Sequence, residues 1–99
     1  MQLLTKDIKN KLPKLGETDG MGTEATAQVK FFTPWTGWTW YATEFDGKDT
    51  FFGYVEGLDN EFGYFTLSEL ESVEGPAGLK IERDIMFEPT KLKEIVWQH

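Results

Sequence analysis

The chain has 99 residues, a length typical of one domain, and its 39% hydrophobic and 15% aromatic content excludes a wholly disordered protein. The absence of cysteine excludes disulfides and thiolate metal sites, and no apolar run approaches the ~20 residues that a membrane helix needs. The net charge of −7 disfavours DNA, RNA and anionic membranes as partners. From the length, the lack of cysteine and the lack of a long apolar run, we expect a single cytoplasmic domain over residues 1–99.

The first predicted element is a short N-terminal helix followed by a turn, over residues 1–15. Thr5 is a suitable N-cap, and apolar residues that include Ile8 and Leu12 are spaced to share one helix face. Residues 16–27 are rich in Gly and Thr and contain few large apolar residues. This composition predicts a flexible loop.

Residues 28–88 are predicted to form the sheet region. Strand signals, which are apolar alternation and a high content of aromatic and β-branched residues, fall in five runs: 28–33, 38–45, 50–56, 62–67 and 79–82. In the second run, strict alternation places Trp40, Ala42 and Glu44 on one face. Asp46-Gly47 is a hairpin dipeptide. The predicted fold class is α+β, a curled antiparallel β-sheet meander with two or three short helices.

The other helix signals follow the main strands. Ser68 stands at the N-cap of a helical turn, with Glu71 at the position that completes a capping box. Thr90 stands at the N-cap of a C-terminal helix over residues 90–99.

Several long runs of this sequence resemble the domain-of-unknown-function family 2958. They are LLTKDIKNKLPKL, FFTPWTGWTWYATEFDG, FFGYVEGLDNEFGYFTLSELES and IERDIMFEPTKLKEI. Together they cover about Leu3 to Ile95. The resemblance implies a protein of phages, plasmids or conjugative elements, often encoded beside DNA-handling genes. It carries over no catalytic residue.

Aromatic residues are densest in one stretch, which contains Phe31, Phe32, Trp35, Trp38, Trp40 and Tyr41. Packing in the core explains most of these rings, because alternation turns about half of them inward. Trp35 and Trp38 flank a turn, and we expect both to be exposed. Together they would form an apolar patch of the kind that marks a protein partner.

Acidic residues are concentrated between residues 44 and 74, where nine of them accompany only one basic residue, Lys48. The candidates for contact with a partner stand in or beside the predicted turns: Asp46, Asp49, Asp59 and Glu61. They would attract a protein with a basic surface, and they could imitate DNA to inhibit a host defence nuclease. The competing interpretation is that these charges only confer solubility.

Catalytic residues are scarce, so we expect no enzyme activity, no cofactor and no metal. There is no cysteine, and the only histidine is the terminal His99. Two alternatives stay open. One is a carboxylate- or metal-dependent hydrolase that uses Glu44, Asp46 and Glu56. The other is a weak nucleic-acid binder that uses the N-terminal lysines Lys6, Lys9, Lys11 and Lys14.

Overall fold

The computed structural model describes residues 1–97, which form a five-stranded antiparallel sheet, a two-stranded sheet and three short helices. The helices are α1 Lys6–Lys11, α2 Leu67–Ser72 and α3 Leu92–Val96. The strands are β1 Thr26–Ala27, β2 Val29–Phe32, β3 Thr39–Phe45, β4 Thr50–Glu56, β5 Asn60–Thr66, β6 Glu82–Arg83 and β7 Thr90–Lys91. The large sheet has the order β5-β4-β3-β2-β6, and every neighbouring pair is antiparallel. The predicted α+β meander is confirmed.

The hairpin between β3 and β4 is built by the predicted Asp46-Gly47 dipeptide. Gly47 has a φ of +87°, a left-handed conformation that glycine adopts without a steric penalty. The Oδ1 of Asp46 accepts hydrogen bonds from the backbone N–H groups of Lys48, Asp49 and Thr50 at 2.8, 2.8 and 3.0 Å. One carboxylate therefore satisfies the donors that this turn leaves outside the strand ladder.

A β-bulge in β3 changes which side chains face each core. Ala42 pairs with Gly53, but Glu44 pairs with Phe52, so β3 contains one residue more than β4 at this point. An extra residue moves all later side chains to the opposite face. Ala42 and Phe45 consequently lie in the same core. The predicted strict alternation, with Glu44 on the face of Ala42, is wrong for this reason.

The large sheet has a core on each face. The first contains a stack of rings in which Phe51 lies 4.5 Å from Phe45 and 5.2 Å from Phe65 between ring centroids. Its buried members are Leu3, Leu12, Val29, Phe31, Ala42, Phe45, Phe51, Phe65, Leu70 and Ile81. The second core, on the other face, consists of Ala25, Ala27, Tyr41, Tyr54, Leu92 and Ile95. β3 is therefore covered on both sides.

The segment 16–27 has more regular structure than a loop. It contains a 3-10 turn at Gly22–Glu24 and the strand β1, which pairs with β7. Its expected flexibility stays a prediction. Because Thr90 belongs to β7, it does not cap the last helix as expected, and α3 begins after Lys91 without a side-chain cap. Residues 98 and 99 of the expected helix, His99 included, lie outside the described residues.

Two of the three helices have a side-chain cap. Thr5 accepts a hydrogen bond from Ile8 N at 3.3 Å, as predicted. For α2 the cap is Thr66 and not Ser68. Thr66 accepts from Glu69 N at 3.1 Å and donates to the Glu69 carboxylate at 2.8 Å, while Ser68 is bonded to Asp49. No helix among residues 1–97 has the length and apolar character needed to cross a membrane.

The last predicted strand, at 79–82, is much shorter than its alternation indicates. Only Glu82–Arg83 pairs with β2, and an isolated bridge joins Glu74 to Lys80. Ile81 is buried in the first core, so part of the alternation reflects burial rather than strand pairing. The side chain of Arg83 donates to the carbonyl oxygen of Leu3 at 3.0 Å and so holds the start of the chain against this edge.

Candidate functional site

The two tryptophans predicted to form an exposed patch are covered to different extents. Trp35 is half-buried against the first core, and its ring lies only 2.5 Å from where a Cβ at Gly75 would be. Trp38 is 37% exposed, fills the space beside Gly57 and lies 5.8 Å from the ring of Trp40. Each indole is therefore fitted against a different glycine, and packing accounts for much of both surfaces.

The four candidate acids lie at opposite ends of β4. Asp46 and Asp49 belong to the β3–β4 turn, while Asp59 and Glu61 are exposed around the β4–β5 turn. The seven residues of β4 separate the turns by roughly 20 Å. They do not form one cluster.

The two acids of the β3–β4 turn also have structural partners. The N–H groups of Asp49 and Lys48 lower the pKa of the Asp46 carboxyl. The Asp49 carboxylate binds the backbone N–H and the hydroxyl of Ser68 at 2.8 and 2.7 Å. Asp46 thus stabilises the turn itself, and Asp49 joins the turn to α2.

The three carboxylates of the hydrolase alternative do not converge. Glu44 is 2% exposed on β3 and Asp46 caps its turn, whereas Glu56 lies at the far end of β4. There the hydroxyl of Tyr41 donates to Glu56 at 3.5 Å, and burial together with this negative charge raises the pKa of Tyr41 to about 12. Within the described part of the chain, no group of three or more metal-binding side chains could hold an ion.

The N-terminal lysines are only partly brought together. Lys6 and Lys9 line a cleft of about 430 Å³ with Lys48, which we call the lysine cleft. None of the described residues that line it is acidic. Lys11 lines a different depression, and Lys14 is exposed on the following turn.

An aromatic row that the sequence analysis did not identify crosses the outer part of the second face. It consists of Tyr54, Phe62, Phe52 and Tyr64. The ring centroids are 5.5 Å apart for Tyr54 and Phe62, 6.2 Å for Phe62 and Phe52, and 4.9 Å for Phe52 and Tyr64. Phe62 is 41% exposed and Tyr64 is 70% exposed. The row therefore continues from the second core into solvent.

A repeat in the sequence could have indicated this row. FGY occurs at 52–54 and again at 62–64. The two tripeptides pair antiparallel about Gly53 and Gly63, which sets Phe52 opposite Tyr64 and Tyr54 opposite Phe62. Antiparallel pairing of one motif with its copy brings all four rings onto one face.

A cleft of about 360 Å³ lies beside the row, between the sheet and the turn at residues 18–22. We call it the aromatic cleft. Phe52, Phe62 and Thr43 form its sheet side. The opposite side is formed by the turn and by the residue just before β1: Thr18, Asp19, Gly20, Gly22 and Ala25. Asp19 is the one acidic residue among the described residues that line it.

The turn is held over the sheet by Glu44. Its Oε1 accepts from Gly16 N at 2.9 Å, and its Oε2 accepts from Thr18 N at 2.8 Å and from the Thr18 hydroxyl. Burial acts to raise the pKa of Glu44, but the hydrogen bonds from Thr18 and Gly16 outweigh it, and the pKa lies below the usual glutamate range. The buried carboxylate is therefore charged at neutral pH and fixes one wall of the aromatic cleft.

A comparison with protein-family models matches residues 3–96 to the family described as protein of unknown function DUF2958. The matched range includes both sheets, the aromatic row and the residues that line the aromatic cleft. No curated protein and no solved structure matches the chain.

Proposed function

The chain belongs to the DUF2958 family of proteins of unknown function, and we propose that it is a non-enzymatic accessory protein that binds another protein. The partner has a basic surface, and the contact surface is the aromatic row with the acidic residues around it. We place the protein in the cytoplasm of a bacterium that carries a mobile genetic element, where it needs no cofactor.

The observation that supports this proposal most strongly is the exposure of the row. Phe62 and Tyr64 lie on β5, an edge strand with no further strand on its outer side within residues 1–97. Leu58, in the preceding turn, is 92% exposed. Neighbouring exposed aromatic side chains are unfavourable in water and are enriched in the centres of protein interfaces. A binding partner would remove this surface from water.

The charge around the row gives the chemistry of the partner. Asp59 is exposed in the turn before β5, and Asp19 lines the aromatic cleft beside Phe62. Glu61 is opposite Val55, which packs against the first core, so it lies on the other face of the sheet from the row. None of the described residues lining that cleft is basic. An acidic rim around apolar side chains favours a partner with a complementary basic rim and speeds its association.

Selection of peptides tests this function. Random peptides of about 12 residues displayed on phage are selected on the immobilised protein at about 0.1 M salt, where long-range charge effects are screened. We expect enriched peptides with a net positive charge and at least one large apolar residue. They should lose binding to a Phe62→Ser/Tyr64→Ser variant.

The matched control is Ile85→Ser/Met86→Ser, which removes another exposed apolar pair, 70% and 83% exposed, outside the row. Binding should be unchanged in this control. No enrichment over an empty surface, or equal loss in both double variants, would refute the proposal.

A narrower form of the proposal is inhibition of a host defence nuclease through its basic DNA groove. Its support is the net charge of −7 and the resemblance to mobile-element proteins. The four turn acids support DNA imitation less than their number suggests, because they lie at the two opposite ends of β4 and form no single negative surface. Purified restriction and CRISPR nucleases should cleave DNA more slowly in the presence of the protein. Unchanged cleavage by every nuclease tried would remove this form and leave the protein-binding proposal intact.

One observation favours nucleic-acid binding as a second candidate function. Lys6, Lys9 and Lys48 line the lysine cleft without an acidic neighbour among the residues described there. A gel shift with single-stranded and double-stranded DNA should then appear at low salt and disappear as salt rises. Lys6→Gln/Lys9→Gln should abolish the shift, and Lys80→Gln should not, because Lys80 lines a different depression. The hydrolase alternative has no comparable support, because its three carboxylates do not converge.

A further inference from the structure

We propose that the aromatic cleft receives a guanidinium group, the arginine side chain of a basic protein partner. This inference rests on the proposed function and names the group by which the partner is anchored. It follows from the aromatic rings on the sheet side, from the acidic residue opposite and from the lack of a basic residue among the described residues that line the cleft.

The sheet side of the cleft is lined by two aromatic rings, those of Phe52 and Phe62. The two rings are nearly parallel, with an interplanar angle of 12° and centroids 6.2 Å apart. A cation within about 6 Å of a ring centroid is attracted by the face of that ring. A guanidinium is planar and weakly hydrated, so it gives up less hydration on such a surface than a lysine ammonium does.

The opposite side offers a negative charge that is not already neutralised. Asp19 takes part in none of the ion pairs formed within residues 1–97. Glu24, in the same segment, is by contrast bonded to both Lys91 and Lys93 at 3.2 Å. A carboxylate can accept two parallel hydrogen bonds from one guanidinium, a geometry that an ammonium cannot match.

The position of Asp19 is fixed by the buried carboxylate behind it. Glu44 holds the residues just before Asp19 through Gly16 and Thr18, and Glu44 is too buried to bind a ligand itself. Thr43, on the floor of the cleft, donates its hydroxyl hydrogen to the carbonyl oxygen of Phe52 at 3.1 Å. Thr43 is 1% exposed, so it supports the floor without binding the ligand, and Asp19 is the acidic residue that the cleft offers to a group with five N–H donors.

The test uses three tripeptides, acetyl-Gly-X-Gly-amide with arginine, lysine or citrulline at X. Each is titrated into the 15N-labelled full chain at two salt concentrations and followed by amide chemical shifts. We expect the arginine peptide to shift the amides of Gly20, Gly22, Phe52 and Phe62. It should bind at least about threefold more tightly than the lysine peptide, and citrulline, which is planar but neutral, should bind most weakly.

Two carboxamide variants distinguish the effect of the Asp19 carboxylate on arginine binding from the effect of the negative charge of the turn as a whole. Asp19→Asn should weaken arginine binding about three- to fivefold, the range for an exposed ion pair. Glu17→Gln removes an exposed charge from the same turn and should leave the affinity unchanged. Both variants must show an amide spectrum like that of the wild type, which excludes unfolding as the cause.

The outcomes distinguish this inference from the proposed function. Equal binding of the arginine and lysine peptides, shifts outside the cleft, or unchanged affinity in Asp19→Asn would overturn the guanidinium inference. If one of these outcomes is found and phage-selected peptides still bind the wild-type protein through Phe62 and Tyr64, the protein-binding function stands without the guanidinium inference. If neither the selected peptides nor the arginine tripeptide binds, both proposals fail.

Discussion

Replacement of Glu44 by glutamine tests the role of the buried carboxylate directly. The side chain accepts two backbone N–H bonds and one hydroxyl bond, at Gly16 and Thr18. Glutamine has one acceptor oxygen where glutamate has two. Its NH2 group would therefore face an N–H or O–H donor from which it cannot accept a hydrogen bond. Hydrogen bonds to charged groups each contribute about 1.5–3 kcal/mol, and a buried unsatisfied donor costs a similar amount. We expect Glu44→Gln to lower the free energy of unfolding by about 2–4 kcal/mol.

The assay is urea denaturation followed by tryptophan fluorescence, at neutral pH and then at falling pH. Because the folded-state pKa of Glu44 is lowered, its contribution is fully present above about pH 4.3, the unfolded value. It is lost as the pH falls through the lower folded-state pKa. The difference between wild type and Glu44→Gln should therefore be constant from pH 7 to about pH 5 and shrink in stronger acid.

Glu17→Gln is the matched control, since Glu17 is an exposed carboxylate in the same turn, and its effect should stay within about 0.5 kcal/mol. A Glu44→Gln protein as stable as the wild type would refute the reasoning. So would a stability difference that persists undiminished at pH 3, because the lost interaction would then not depend on the charge.

Three further outcomes can be measured. Gly53→Ala would place a Cβ 1.8 Å from the carbonyl oxygen of Tyr41 and should cost about 3 kcal/mol or more in urea denaturation. Gly63→Ala, directly opposite and with no atom within 4 Å, should change stability by less than about 0.5 kcal/mol; equal effects would contradict the register. In an ultraviolet titration Tyr41 should ionise near pH 12, and Tyr41→Phe should remove that step. Because the folded-state pKa of Tyr41 is raised, wild-type stability should fall between about pH 10 and 12. Asp46→Lys should lower the melting temperature because three N–H bonds are lost, while Asp59→Lys should not, and equal melting temperatures would show that the turn does not need its carboxylate.

The strands could be predicted from the sequence where local pattern and turn chemistry agree. β4 has the predicted bounds, and β5 differs from its prediction by at most two residues at either end, because a hairpin dipeptide and aromatic alternation specify them. The pairing of β1 with β7 could not be predicted, since Thr26 and Lys91 are far apart in the chain and each strand has only two residues. The cap of α2 was misplaced because Thr66 and Ser68 are both good caps, and Asp49, distant in sequence, occupies Ser68.

The candidate site was harder to predict than the fold. Whether Trp35 and Trp38 are exposed depends on the glycines opposite them, and no local pattern shows which residues will meet across a fold. The bulge after Ala42 reversed the expected face of Glu44 and so concealed its role at the turn. The aromatic row could have been predicted from the repeated FGY, but only if the register of β4 and β5 had also been known.

The cover over the second core is made from two distant parts of the chain, and we expect it to open separately from the large sheet. Residues 22–27 and 90–96 hold each other through the β1–β7 pairs, the bond from Leu92 N to Ala25 O and the lysines around Glu24. Such a unit can detach while the five-stranded sheet persists, so its amides should exchange with deuterium sooner than those of β3 and β4. Each opening would uncover Tyr41 and Tyr54 beside Phe62, lengthening the exposed line of rings. The population of the opened form would then set how much aromatic surface a partner meets.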